Sequence, residues 1–196
     1  MKEMIRMVFV LSLICGASGL TLASLRDVTE PYVVEQELTY VQGPALSQIF
    51  RDIDNNPVRD RKRIETGDGD DVLVFPAKKN GQLTGVAFQS IGKGFGGDLG
   101  IMVGFKVGGD NGAELAGIGV TTMKETPGVG SRITEPDFRE QFRHHPLEGL
   151  ALKATGGNID AVSGATVSST GTVGAVNQAI KVYHKIKDRI PAAFGS

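Results

Sequence analysis

Tryptophan is absent from this 196-residue chain, and cysteine occurs once, as Cys15. One thiol closes no intramolecular disulfide, so no redox staple is expected in the fold. A lipid-attachment signal would need small residues just before that cysteine, and Leu13-Ile14 stand there instead. Excess charge is lacking too: 21 Lys and Arg against 22 Asp and Glu leave a net charge of −1, and no basic tract stands out. That balance argues against a DNA or RNA partner. No glycine fingerprint for a nicotinamide stands between a predicted strand and a helix, which argues against a self-sufficient dehydrogenase. No serine sits in the Gly-x-Ser-x-Gly context of a hydrolase elbow. Internal repeats and low-complexity tracts are also missing. What remains is a globular composition, 40% apolar, with room for one domain and a short extension. Its 27 glycines point to many turns and close backbone approaches.

The most informative absence is local. From Met7 to Leu25 there is no charged residue, with Lys2 and Arg6 before the run and Arg26-Asp27 after it. A helix of that length spans roughly the 30 Å core of a bilayer. Positive charge ahead of it places the N-terminus in the cytoplasm and the rest outside. The alternative is a cleaved signal peptide, for which Ala17-Ser18-Gly19 and Leu22-Ala23-Ser24 offer small residues. Either way the domain is exported. We read 1–28 as cytoplasmic N-terminus and anchor, 29–71 as juxtamembrane helices and linker, and 72–196 as the folded domain.

Apolar residues at spacings of three and four between 29 and 52 predict two short helices, broken or restarted at Gly43-Pro44. Residues 54–71 read as loop. Val72–Phe75 and Leu83–Phe88 flank Asn80-Gly81, a hairpin signal. Strands over 99–107 and 114–123, joined through Gly108–Gly112, complete a four-stranded antiparallel meander. Thr134-Glu135-Pro136-Asp137 opens a helix with Phe138 and Phe142 on one face. A short strand near Leu150–Ala154 precedes a last helix, which begins near Ser169 and which Pro191 ends. The fold class is α+β, with an N-terminal transmembrane helix and one exported domain whose antiparallel sheet is flanked by helices.

Two segments carry chemistry. Lys124-Glu125-Thr126-Pro127-Gly128-Val129-Gly130 gives a rigid loop with exposed amides and an apolar tip at Val129, a surface suited to a flat heteroaromatic ring. Read alone, it is also an ordinary strand-to-helix turn. Asp160-Ala161-Val162-Ser163-Gly164-Ala165-Thr166 places a hydroxyl after a tight turn and just before a helix, where free amides and the helix dipole favour a phosphate. Read alone, it is also a helix start with a Ser/Thr cap.

Taken in order, Gly94-Phe95-Gly96-Gly97, Glu125–Gly130 and Asp160-x-x-Ser163-Gly164-Ala165-Thr166 resemble the FMN-binding domain shared by the G subunit of Rnf complexes and the C subunit of the sodium-pumping NADH:quinone oxidoreductase. The resemblance covers almost the whole chain, including the anchor and Thr29-x-Pro31, and the compact length is closer to the Rnf protein. It implies FMN joined to Thr166 by a phosphoester. An exported flavin transferase would take the FMN from FAD, recognising Asp160, Ser163, Gly164 and Ala165. Glu125, Thr126, Pro127, Gly128 and Val129 would meet the ring. The implied protein is a single-pass membrane electron-transfer subunit of an Rnf-type ion-translocating oxidoreductase, partnered by the other membrane subunits. It would have no catalytic acid or base and no metal of its own. Val129 stands where the family more often has leucine, and Phe95 where tyrosine is frequent. The rival readings are a C-type subunit of the sodium pump, a stand-alone flavin reductase, and an exported adaptor without cofactor.

Other residues read as structural. His144-His145 lacks further ligands and reads as a surface pair. Lys124 and Lys153 read as solvated, as does the acidic Gly67–Asp71 segment. Phe95 could cover a flavin or fill the core.

Overall fold

The computed structural model describes residues 1–67, 69–107 and 113–195. It divides into two compact units, Met1–Thr39 and Tyr40–Ser196. The expected glycine turn over 108–112 lies outside the described residues, as does position 68 of the acidic segment.

The first unit is one helix, α1 (Lys2–Glu37), long and apolar enough to cross a membrane. Among the described residues its large apolar side chains, such as Phe9, Leu11, Leu20 and Leu22, are exposed, as a lipid-facing helix requires. The anchor and the first expected juxtamembrane helix are thus continuous. A π-helical turn, Leu38–Gln42, follows α1. Gly43-Pro44 then restarts the chain as α2 (Gly43–Ile49), with proline in the first turn, where its missing N–H costs nothing.

The second unit is built on a five-stranded antiparallel meander in sequence order: β1 (Lys62–Glu65), β2 (Asp71–Lys79), β3 (Gln82–Lys93), β4 (Asp98–Lys106) and β5 (Leu115–Thr122). The β2–β3 hairpin turns at Asn80-Gly81, both at positive φ (52° and 78°), as a type I′ turn demands. β1 falls within the span read as loop. Its sequence Lys-Arg-Ile-Glu carries a single buried residue, Ile64, so alternation was hidden by charge; such charging blunts an edge strand.

Helices cover both sheet faces. Phe105 of β4 stacks on Phe88 at 5.3 Å and on Tyr183 at 4.4 Å between ring centroids, facing α4 (Thr166–Ile186). Its neighbour Gly104 points the other way, where a β-carbon would lie 2.3 Å from Ile49 of α2. β4, covered on both faces, is buried from Leu99 to Phe105.

Between β5 and α4 regular structure is sparse. A 3-10 turn (Gly130–Thr134) leads into α3 (Pro136–Arg139) and a further 3-10 turn (Glu140–Phe142). The expected helix is therefore three short pieces, though Phe138 and Phe142 do pack together at 5.4 Å. Glu135 holds the N-cap position of α3, and the Thr134 hydroxyl donates back to the Ser131 carbonyl at 2.8 Å. No strand forms over 150–154. Leu152 makes one parallel bridge to Ile159, and Lys153–Thr155 is a 3-10 turn. α4 begins three residues earlier than expected, and Pro191 starts a short α5 (Ile190–Phe194) rather than ending α4. His145 is buried rather than superficial, its ring nitrogens 2.6 Å from the Pro146 carbonyl and 2.8 Å from Asn158 Oδ1. Burial made it a structural pin, which a bare His-His pair does not signal.

Candidate functional site

The two motif segments fold into turns of one design. In Thr126-Pro127-Gly128-Val129 the Val129 amide donates to the Thr126 carbonyl at 3.2 Å, and Gly128 has φ +73°. In Val162-Ser163-Gly164-Ala165 the Ala165 amide donates to the Val162 carbonyl at 2.9 Å, and Gly164 has φ +79°. Both put glycine at the third position of a type II turn, where positive φ is required. They meet at their tips: a β-carbon on Gly164 would lie 3.8 Å from Val129 Cγ1.

Side chains fix each turn. Ser131 Oγ accepts from the Gly128 amide at 2.8 Å. The buried Ser169 hydroxyl accepts from the Val162 amide at 3.0 Å and donates to the Ala165 carbonyl at 2.9 Å. Gln141 grips Asp160 by its backbone, accepting from the amide at 2.7 Å and donating to the carbonyl at 3.2 Å. The Asp160 carboxylate is left to pair with Lys153 at 2.6 Å on the surface.

Near its start, the helix that follows meets the end of β3 without side chains between them. A β-carbon on Gly171 would lie 2.1 Å from the Lys93 carbonyl oxygen, and one on Gly92 would lie 2.2 Å from the Gly171 carbonyl oxygen. α4 thus rests backbone to backbone on the end of β3. Its first residue is Thr166, exposed, and the N-cap position is Ala165, which supplies no capping acceptor. Alanine is among the poorest N-caps, about 1 kcal/mol worse than Ser, Thr or Asp. The helix start therefore presents open amides beside a threonine hydroxyl.

A cavity of about 320 Å³ lies at this junction, lined by residues from three stretches: Phe95; Glu125, Thr126, Val129 and Gly130; and Gly164–Ser168. Phe95 and Val129 are exposed at its mouth. Of the expected site residues, Glu125, Thr126, Val129, Gly164, Ala165 and Thr166 line this one space. Asp160 and Ser163 line an adjoining, more polar cavity with Arg132, Glu135 and Gln141. Pro127 and Gly128 are exposed on the turn and are not among the lining residues. Thr166 and Val167 also border a third cavity, against Ile91–Lys93.

The sequence reading missed Ser168, Ser169, Gln141 and the Gly92–Gly171 contact. Ser168-Ser169 carried one usable signal: both lie on the side of α4 that also presents Val173, Ala175 and Val176, where a serine must be hydrogen-bonded. Among the described residues, no group of three or more His, Cys, Asp or Glu is placed to hold a metal ion.

Residues 94–181 match the FMN-binding domain family. The chain is 29% identical over 181 residues to the G subunit of the ion-translocating oxidoreductase complex of Stutzerimonas stutzeri, covering 87% of this chain and 77% of that protein. It is 25% identical over 175 residues to the G subunit of the proton-translocating ferredoxin:NAD(+) oxidoreductase complex of Clostridium ljungdahlii, covering 87% and 86%. Among solved structures it is similar to NqrC of Shewanella oneidensis, with a TM-score of 0.50 and 24% identity over 63% of each chain, a likeness of fold alone. The family resemblance drawn from the motifs is borne out.

Proposed function

We propose, starting from a chain whose residues 94–181 belong to the FMN-binding domain family, that it is an electron-transfer subunit of a membrane-bound ion-translocating oxidoreductase complex of the Rnf type, carrying FMN by a phosphoester to Thr166. The observation that carries the proposal is the convergence of both motifs on one cavity beside an exposed threonine hydroxyl at an uncapped helix start.

The residues present suit each part of the group. A phosphate on Thr166 Oγ1 would supply the acceptor that Ala165 lacks and would be favoured by the positive end of the α4 dipole. The Thr126–Val129 turn and Gly164 offer backbone and one apolar side chain to a flat ring, with Phe95 at the opening. When bound, FMN supplies one- and two-electron redox chemistry, and the protein's part is placement and electrostatics. Covalent attachment replaces reversible binding with permanent proximity. An exported transferase makes it: the FAD pyrophosphate bond breaks, a phosphorus–oxygen bond to Thr166 forms, the hydroxyl proton is lost and AMP leaves. Asp160 and Ser163, exposed on the adjoining face, are the recognition residues for that partner. Lys2 and Arg6, in the first turns of α1 and ahead of its uncharged run, set the N-terminus inside and the flavin domain outside.

The test is flavin fluorescence of the denatured protein band, wild type beside Thr166→Ala, each co-expressed with a flavin transferase and exported. Wild type fluoresces and Thr166→Ala is dark while still folded. A fluorescent Thr166→Ala band would move the attachment elsewhere. A dark wild-type band, with the transferase active on another substrate, would favour an adaptor without cofactor.

A further inference from the structure

Glu125 is the buried carboxylate of the candidate site, 9% exposed. Its Oε1 accepts from the Gly96 amide at 3.1 Å, and its Oε2 accepts from the Ser168 hydroxyl at 2.7 Å. The surrounding backbone is shaped to admit it: β-carbons on Gly94 and Gly130 would lie 2.1 and 2.4 Å from its two oxygens. Both oxygens are thus engaged inward, one on the glycine turn that bears Phe95 and one on the first turn of the attachment helix. Among the described residues it has no ion-pair partner. It nonetheless forms part of the cavity wall.

We infer that Glu125 is a positioning residue that ties the 94–97 turn to the start of α4, setting the width of the ring cavity, and that its unneutralised charge holds the redox potential of a flavin in that cavity low. The first part follows from the two bonds. Removing the carboxylate orphans a backbone amide and a hydroxyl on opposite walls, and hydrogen bonds to charged acceptors are among the stronger ones. The second follows from Coulomb's law in a partly desolvated site: a fixed negative charge opposes the arrival of an electron on the ring. The potential rests on the flavoprotein reading above; the positioning does not.

The experiment uses the full-length chain in two forms. In flavin-free protein, hydrogen exchange of Glu125→Ala runs about tenfold or more faster than wild type at the amides of 94–97 and 168–170. Glu125→Gln, which keeps an oxygen for the Gly96 amide, restores protection at 94–97. In flavin-loaded protein, Glu125→Gln moves the midpoint to more positive potential, an about tenfold change in the oxidised-to-reduced ratio at fixed applied potential. If Glu125→Ala fails to fold, Ser168→Ala carries the exchange arm, with faster exchange confined to 168–170. Wild-type exchange in both segments of Glu125→Ala overturns the positioning, and an unmoved midpoint in Glu125→Gln overturns the electrostatic part. A wild-type protein that never acquires flavin would sink the functional reading while leaving the exchange result standing.

Discussion

The meander of residues 62–122 and the irregular stretch of 123–165 hold their shapes by different means. In the meander, backbone groups pair strand to strand, from Lys62 opposite Val74 to Gly100 opposite Thr122. Over 123–165 much of that work falls to side chains: Arg143, Gln141, Ser131 and, reaching back from α4, Ser169 and Ser168. Most of the candidate site lies in or against the second region. A ladder of many equivalent bonds tolerates losing one side chain. A turn pinned by one hydroxyl does not, and so the geometry of the site depends on single residues outside it.

The largest expected effect tests the join between the regions. Gly171→Ala forces a methyl group against the Lys93 carbonyl, which cannot yield without moving β3. We expect a loss of about 3 kcal/mol, a fall in thermal midpoint of about 10 °C. Gly174→Ala, three residues along the same helix and with open space around it, should instead gain about 0.5–1 kcal/mol. Equal effects at the two positions would mean that α4 does not rest backbone to backbone on the sheet.

Arg143 comes next. Its guanidinium donates to the carbonyls of Gln48, Ile49 and Ala116 at 2.8, 3.0 and 2.8 Å, capping the C-terminal end of α2 from the irregular side. Arg143→Ala should cost about 2–3 kcal/mol in denaturant unfolding. The same guanidinium holds the Glu140 carboxyl below its ordinary value of 4.5. A carboxyl with a depressed folded value stabilises above the unfolded value, so this contribution is in place above about pH 4.5 and fades as acid protonates Glu140. Arg143→Ala should therefore weaken the acid dependence of stability in that range.

Smaller effects separate the turn from its scaffold. Ser169→Ala leaves the Val162 amide buried without an acceptor, at about 1–2 kcal/mol. Exchange should rise at 162–165 and stay unchanged in β2–β4. The smallest expected change has the opposite sign. Ala165→Ser, small enough for this buried position, gives α4 the cap it lacks and stabilises flavin-free protein by about 0.5 kcal/mol. Because the new hydroxyl claims an amide that a phosphate would use, covalent flavin at a fixed transferase dose should fall.

The same division explains what could be read from the sequence. The Asn80-Gly81 hairpin and both glycine turns are local patterns, each written within a few residues. β1 escaped because three of its four residues are charged, and an edge strand needs only one inward side chain. His145, Ser168 and Ser169 look like surface residues until distant partners bury them: Asn158, Glu125 and the Val162 amide. The site was legible as two motifs but not as one cavity. What joins them is a carboxylate bond across 43 positions and the approach of Val129 to Gly164, and neither leaves a periodic trace.

The contact between Gly92 and Gly171 bears on electron exchange, whose rate falls steeply with donor–acceptor distance. A helix cushioned by side chains can slide as they change rotamer, whereas one seated on a strand's own carbonyls has no such play. With a cofactor on Thr166, the tunnelling distance to any neighbouring centre inherits that fixity at the tether's protein end. Two residues without side chains would thereby keep the spread of transfer rates narrow.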